Sequence, residues 1–246
     1  MASLTALILA TAIAQQDPQA NPLVMDDGSL DFAKAVLKSA QDAPDLNVRL
    51  ARLKPVVTGF YMWRLTQFAA KPFSKLERMH MNTSVLMLNF YYPGTQQKWD
   101  SFQPAIQAGK DDELPQEVVD WANKTVKMQV FDEYFSLSFD EKKRALSDKF
   151  PGHKGEFQIG ITLGELTANM VTQFSLQGYE PVRIEMASNL KYLGELLNKN
   201  PLAFTPEIRT KLTSLSKLAK GDAVQVSEYR AIEAANKEVL MMIAKI

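Results

Sequence analysis

The sequence predicts an all-α protein, a multi-helix bundle of roughly eight or nine helices with mostly antiparallel neighbours. Three observations carry that reading. Apolar residues recur at three- and four-residue spacings over most of the chain, the period of a helix with one buried face. Helix-start chemistry precedes several of these stripes, as in Thr205-Pro206-Glu207 and Leu114-Pro115-Gln116-Glu117. Strand signals are poor. Lys127–Leu137 holds the β-formers Val130, Phe131, Tyr134 and Phe135 but no clean alternation, and it is read as helix.

Met1–Ala14 carries an unbroken run of apolar and small residues that ends in Ala-Ile-Ala. The polar stretch Gln15-Gln16-Asp17-Pro18 follows, which is the layout of a secretory signal peptide, although no Lys or Arg precedes the apolar core. The alternative is an ordinary first helix of the bundle. Residues 15–28, rich in Gln, Asp, Pro and Asn, have little to bury and are expected to be a flexible leader.

Residues 29–246 then read as a single helical domain. Asp31–Gln41, Asp45–Ala70 and Phe73–Tyr91 are its first helices. Pro55 and Gly59 should bend or split the second, since proline removes an N–H and crowds the preceding turn. A further helix begins at Leu114-Pro115 and carries Val118, Trp121 and Val126. Ser138-Phe139-Asp140-Glu141 is a capping box for a short helix over Lys142–Phe150. Pro151-Gly152-His153-Lys154-Gly155 is the strongest internal break and marks a sub-domain boundary at 151–155.

Beyond it, Phe157–Gln177 shows the stripe Ile159, Leu163, Leu166, Met170 and Phe174. Pro181 opens a helix with Val182, Met186, Leu190, Leu193 and Leu197 on its inner side. Ile208, Leu212 and Leu215 line the next, with Gly221 placed to stop it. Tyr229, Ile232, Ala235, Val239, Met242 and Ile243 line the last. Gly160, Gly164 and Ala168 recur every four residues and predict a thin ridge for close helix approach, first within the monomer and second at a homodimer face.

Composition bounds the chemistry. Of the 246 residues 46% are hydrophobic and 23% charged, proportions that exclude a disordered chain and a membrane-embedded one. No run after the leader approaches the ~18 apolar residues of a membrane span, so none is expected in the processed chain. Lys plus Arg and Asp plus Glu are each 28, and without a basic excess no nucleic-acid partner is expected. The absence of cysteine removes disulfides, thiol nucleophiles and Cys-ligated metals.

Three clusters stand out as candidate sites. Met79-His80-Met81 offers thioether and imidazole ligands that suit Cu(I). Consecutive residues on a helix point ~100° apart, however, so core packing by the methionines is the plainer reading. Phe60, Tyr61, Trp63 and Arg64, with Tyr91 and Tyr92 beyond, could line a pocket for a hydrophobic ligand or a partner. The commoner arrangement puts the aromatics in the core and lets Arg64 snorkel to the surface. His153, beside Lys154 and Glu156 in the glycine break, is a candidate for acid–base work, and the carboxylate pairs Asp111-Asp112 and Asp132-Glu133 could serve a glycosidase, although adjacent acids are common on surfaces. G-x-S-x-G, H-E-x-x-H, Walker and EF-hand patterns are all missing.

The resulting expectation is an exported, periplasmic or secreted helical protein without catalytic activity or cofactor, acting as a binding or scaffold module. It would engage a protein partner in the cell envelope or a second copy of itself. The alternatives are an enzyme using carboxylates and His153 in a cleft near the break, and a periplasmic carrier of a metal ion or hydrophobic ligand.

Overall fold

The computed structural model describes residues 28–69, 83–89, 94–108, 115–121, 148, 150–176 and 180–246. Met1–Ala14 and nearly all of the leader lie outside them, as do Met79-His80-Met81, Tyr91, Tyr92, Lys127–Leu137 and most of Lys142–Phe150. The described residues form an all-α protein without strands. Its helices are α1 (Ser29–Gln41), α2 (Leu46–Ala69), α3 (83–89), α4 (Thr95–Ala108) and α5 (116–121), then α6 (Lys154–Leu176), α7 (Glu180–Lys199), α8 (Pro206–Ser216) and α9 (Tyr229–Ile243). A 3-10 turn, Val226–Glu228, leads into α9. Among the described residues no helix is long and apolar enough to cross a membrane.

Local chemistry explains most of the boundaries. α1 starts after Gly28, whose φ of 69° suits glycine, and Asp31 and Lys38 sit at the helix ends whose partial charges they complement. Thr205 caps α8 by accepting from the Ile208 N–H, with Pro206 at the first helical position. α8 ends at Ser216, ahead of the expected stop at Gly221.

α2 is where the sequence misleads. It runs for 24 residues through Pro55 and Gly59 as one helix, so of the expected bend or split the split does not occur. An interior proline costs about 3 kcal/mol. Val56, Val57, Phe60 and Tyr61 around it are all at most 1% exposed. Burial of such side chains contributes ~1.5–3 kcal/mol each, so a break here would forfeit more than it recovered.

Gly59 serves a different purpose. α2 and α6 cross with their backbones in contact, and a Cβ on Gly59 would stand 2.5 Å from the Phe157 carbonyl oxygen. On α6, a Cβ on Gly160 would meet the Val56 oxygen at 2.2 Å, and one on Gly164 the Phe60 oxygen at 2.5 Å. The predicted glycine ridge therefore packs inside the monomer. Val56 faces Gly160 and Phe60 faces Gly164, so this pair runs in the same direction, an exception to the expected antiparallel neighbours.

α4 was not expected at all. Asn89 on α3 starts it, its Oδ1 accepting from the N–H groups of Gly94 and Gln96, each at 3.1 Å. Gly94 has a φ of 98° at this turn. Trp99, Phe102 and Ile106 bury one face of α4; Trp99 stacks on Trp121 of α5 at 6.0 Å, and Phe102 lies tilted against the same ring at 5.4 Å. On the other side of the core, α6 meets α9 through a buried polar contact. The Asn236 amide donates to Thr167 Oγ1 at 3.1 Å, and that hydroxyl donates to the Leu163 carbonyl.

Candidate functional site

The aromatic cluster read from the sequence is brought together, but in the core. Phe60 and Tyr61 are fully buried, and Met62 and Trp63 nearly so. Phe32 of α1 stands edge-on to Phe60 at 5.2 Å and stacks on Tyr61 at 5.9 Å. Arg64 does not snorkel as expected. It is 0% exposed, with its guanidinium 5.8 Å from the centre of the Phe60 ring, a cation–π contact in the interior. None of the four lies on an open surface.

The surface with the most built-in geometry is a corner where the glycine break meets the α7–α8 connection. The break makes its own turn. The His153 N–H donates to the Phe150 carbonyl at 2.9 Å, and Gly152 takes a φ of 83°. The His153 carbonyl then accepts from Phe157 as α6 begins. Gly155 sits against the end of α7, where a Cβ would lie 2.6 Å from Asn200 Cγ. The Asn200 amide is itself fixed, donating to the Leu196 carbonyl at 2.8 Å.

One arginine holds the connection. Arg209 of α8 reaches back to the closing turn of α7 and the connection beyond it, donating to the carbonyls of Asn200 at 2.6 Å, Ala203 at 3.2 Å and Leu197 at 2.9 Å. It thereby satisfies oxygens that a helix end leaves without partners. Within that clamp the Ala203 N–H donates to Asn200, and Phe204 adopts a φ of 63°, uncommon for a bulky residue. Leu202 is left projecting into solvent, 93% exposed.

Recesses flank it on either side. The larger, about 660 Å³, is lined by Pro201, Leu202, Phe204 and Pro206 from the connection and by Arg209, Thr210, Thr213, Ser214 and Lys217 of α8. The smaller, about 340 Å³, lies between Gly152–Glu156 and Lys199–Ala203. Lys154 pairs with Asp148, and Lys199 with Glu195 at 3.7 Å. Glu156 is the single carboxylate in either lining.

His153 is exposed, and its Nδ1 stands 3.5 Å from Glu156 Oε1, at the outer limit of a hydrogen bond. Glu156 lines the smaller recess while His153 does not. A catalytic pair would want both groups facing the space a substrate fills. Among the described residues no three His, Asp or Glu side chains converge as a metal site would require.

Leu202, Phe204, Arg209 and Lys217 were not singled out from the sequence. A signal was present. Asn200-Pro201-Leu202-Ala203-Phe204-Thr205-Pro206 places two large apolar residues in a proline-framed turn, where polar residues are the rule. No family model matches this chain, and no curated protein or solved structure matches it.

Proposed function

We propose that this protein acts by binding rather than catalysis, as an exported helical docking module that engages a protein partner through the α7–α8 corner. The observation that carries this reading is Leu202, an almost fully exposed leucine on a turn that Arg209 ties down at three carbonyls. An apolar side chain carried on a backbone that is already pinned costs little backbone freedom on association, which favours its use as an interface anchor. Recesses on both sides give a partner's side chains somewhere to enter. Export is supported by the layout of Met1–Ala14.

Peptide display against the full chain tests the docking. Enriched peptides should bind in titration and lose most of their affinity to a Leu202→Asp variant. That variant should fold normally, because substitutions at exposed positions usually change stability by less than ~0.5 kcal/mol. Display that enriches nothing, or peptides indifferent to Leu202, would end the reading. For export, the intact mass of the native protein should correspond to a chain beginning at Gln15 in the envelope fraction. A full-length chain in the cytosol would overturn it.

A further inference from the structure

The larger recess has a one-sided polar character. Arg209 and Lys217 contribute its charges, both positive, and the first-turn Glu207 of α8 lies outside the lining. Lys217 is exposed and forms no ion pair among the described residues. Lys154 and Lys199, beyond Leu202, are already matched by acids, so the uncompensated charge lies on the α8 side.

Two hydroxyls sharpen the picture. Thr210 donates to the Pro206 carbonyl at 2.9 Å and Ser214 to the Thr210 carbonyl at 3.0 Å. With their hydrogens turned into the helix, these oxygens face a ligand as acceptors. The recess thus presents an apolar wall, acceptors and cations together. It is also more open to solvent than a small-molecule site, which encloses most of its ligand.

We propose that the occupant of this groove is an acidic, extended polypeptide segment, with apolar side chains seated against Leu202 and Phe204 and a carboxylate meeting Lys217. The proposal rests on the docking reading above and adds the chemistry of the partner. A peptide supplies N–H donors for the Thr210 and Ser214 oxygens, which a fatty acid or another small anionic amphiphile does not. Charge complementarity selects acid over base, and like-charge contact works against a basic segment.

The test uses the full chain and three labelled peptides that alternate Leu with Glu, Gln or Lys, followed by fluorescence anisotropy at low and high salt. The Glu peptide should bind tightest and weaken as salt screens the pair. Lys217→Glu should weaken it roughly fivefold and improve the Lys peptide. This inversion is one that a merely structural lysine would not produce. Equal binding of all three peptides, lost in Leu202→Asp, would overturn the acidic preference and leave the docking surface standing. Binding of none would sink both, and displacement of the Glu peptide by a simple fatty acid would assign the groove to amphiphiles instead.

Discussion

The α2/α6 crossing and the α7–α8 corner solve the same problem, holding two helices at a set position, by opposite means. At the crossing the side chains are absent. Gly59, Gly160 and Gly164 let carbonyl oxygens of one helix occupy the space where the other would carry Cβ atoms. Such a contact gathers dispersion and weak Cα–H···O attraction along the helix, and its geometry leaves no slack. At the corner a single long side chain does the holding, with Arg209 gathering three carbonyls. Its neighbours Leu202, Thr210, Ser214 and Lys217 all face outward. Where backbone meets backbone the fold dictates the residue, and where a side chain bridges, the surrounding surface is available for recognition.

Gly160→Ala should disrupt the α2/α6 crossing more severely than any other change. Its Cβ would stand 2.2 Å from a backbone oxygen that cannot rotate away. We expect a loss of about 3 kcal/mol or more, or no folded protein, read from urea unfolding of the full chain. An alanine tolerated there would mean the two helices have room to separate. Arg209→Ala should come next, at about 2 kcal/mol, since charge-assisted hydrogen bonds to three carbonyls of the α7 end and the connection are lost. Hydrogen exchange should show the loss concentrated at the corner amides, Ala203 above all. Uniform acceleration across α6 and α9 would instead make Arg209 part of the global core.

These contrasts also explain what was legible in the sequence. The stripes of α7 to α9 were plain because each of these helices buries one face, and period 3.6 is what that geometry writes, whereas α6 is buried almost all round from Phe157 to Met170. The glycine spacing at 160 and 164 was readable for the same reason. α2 was harder, because breaking propensity at Pro55 is a local signal and the packing that overrides it is not. α4 was missed because Pro104 and a run of polar residues mask Trp99, Phe102 and Ile106, and its start depends on Asn89 in the preceding helix. Arg64 was misplaced since chemistry alone sends arginine outward, and only the tertiary fold shows what encloses it. The corner was invisible for a related reason. Arg209 stands six to twelve residues from the carbonyls it gathers, none of them on its own helix, and side-chain bonds to a turn leave no periodicity.

A glycine outside the crossing provides the control for Gly160→Ala. In α7 a Cβ on Gly194 would lie 3.4 Å from Ser216 Oγ, an ordinary contact. Gly194→Ala should therefore be neutral or stabilise by up to ~1 kcal/mol, because alanine has less freedom to lose on folding. The opposite responses of Gly160 and Gly194 to one methyl group would separate backbone-limited from side-chain-limited packing. Destabilisation of both by similar amounts would erase the distinction.

The smallest effect is expected at the other end of the α7/α8 pair, where Lys191 Nζ meets Asp222 Oδ1 at 2.7 Å. The hydrogen bond and charge of Lys191 hold the Asp222 carboxyl below its ordinary value. A depressed native carboxyl favours folding above its unfolded-state pKa, and that contribution disappears as pH falls through the native one. Asp222 is fully exposed, however, so solvent screens the pair and unfolding curves of Lys191→Ala should overlay those of the parent at neutral pH. The local signature should persist. In an NMR titration of the variant, the Asp222 carboxyl should move up to the ordinary carboxylate range. A measurable loss of stability in Lys191→Ala would show that a surface ion pair holds this end of the pair as firmly as Arg209 holds the corner. An unmoved titration would show that the two side chains do not meet in solution.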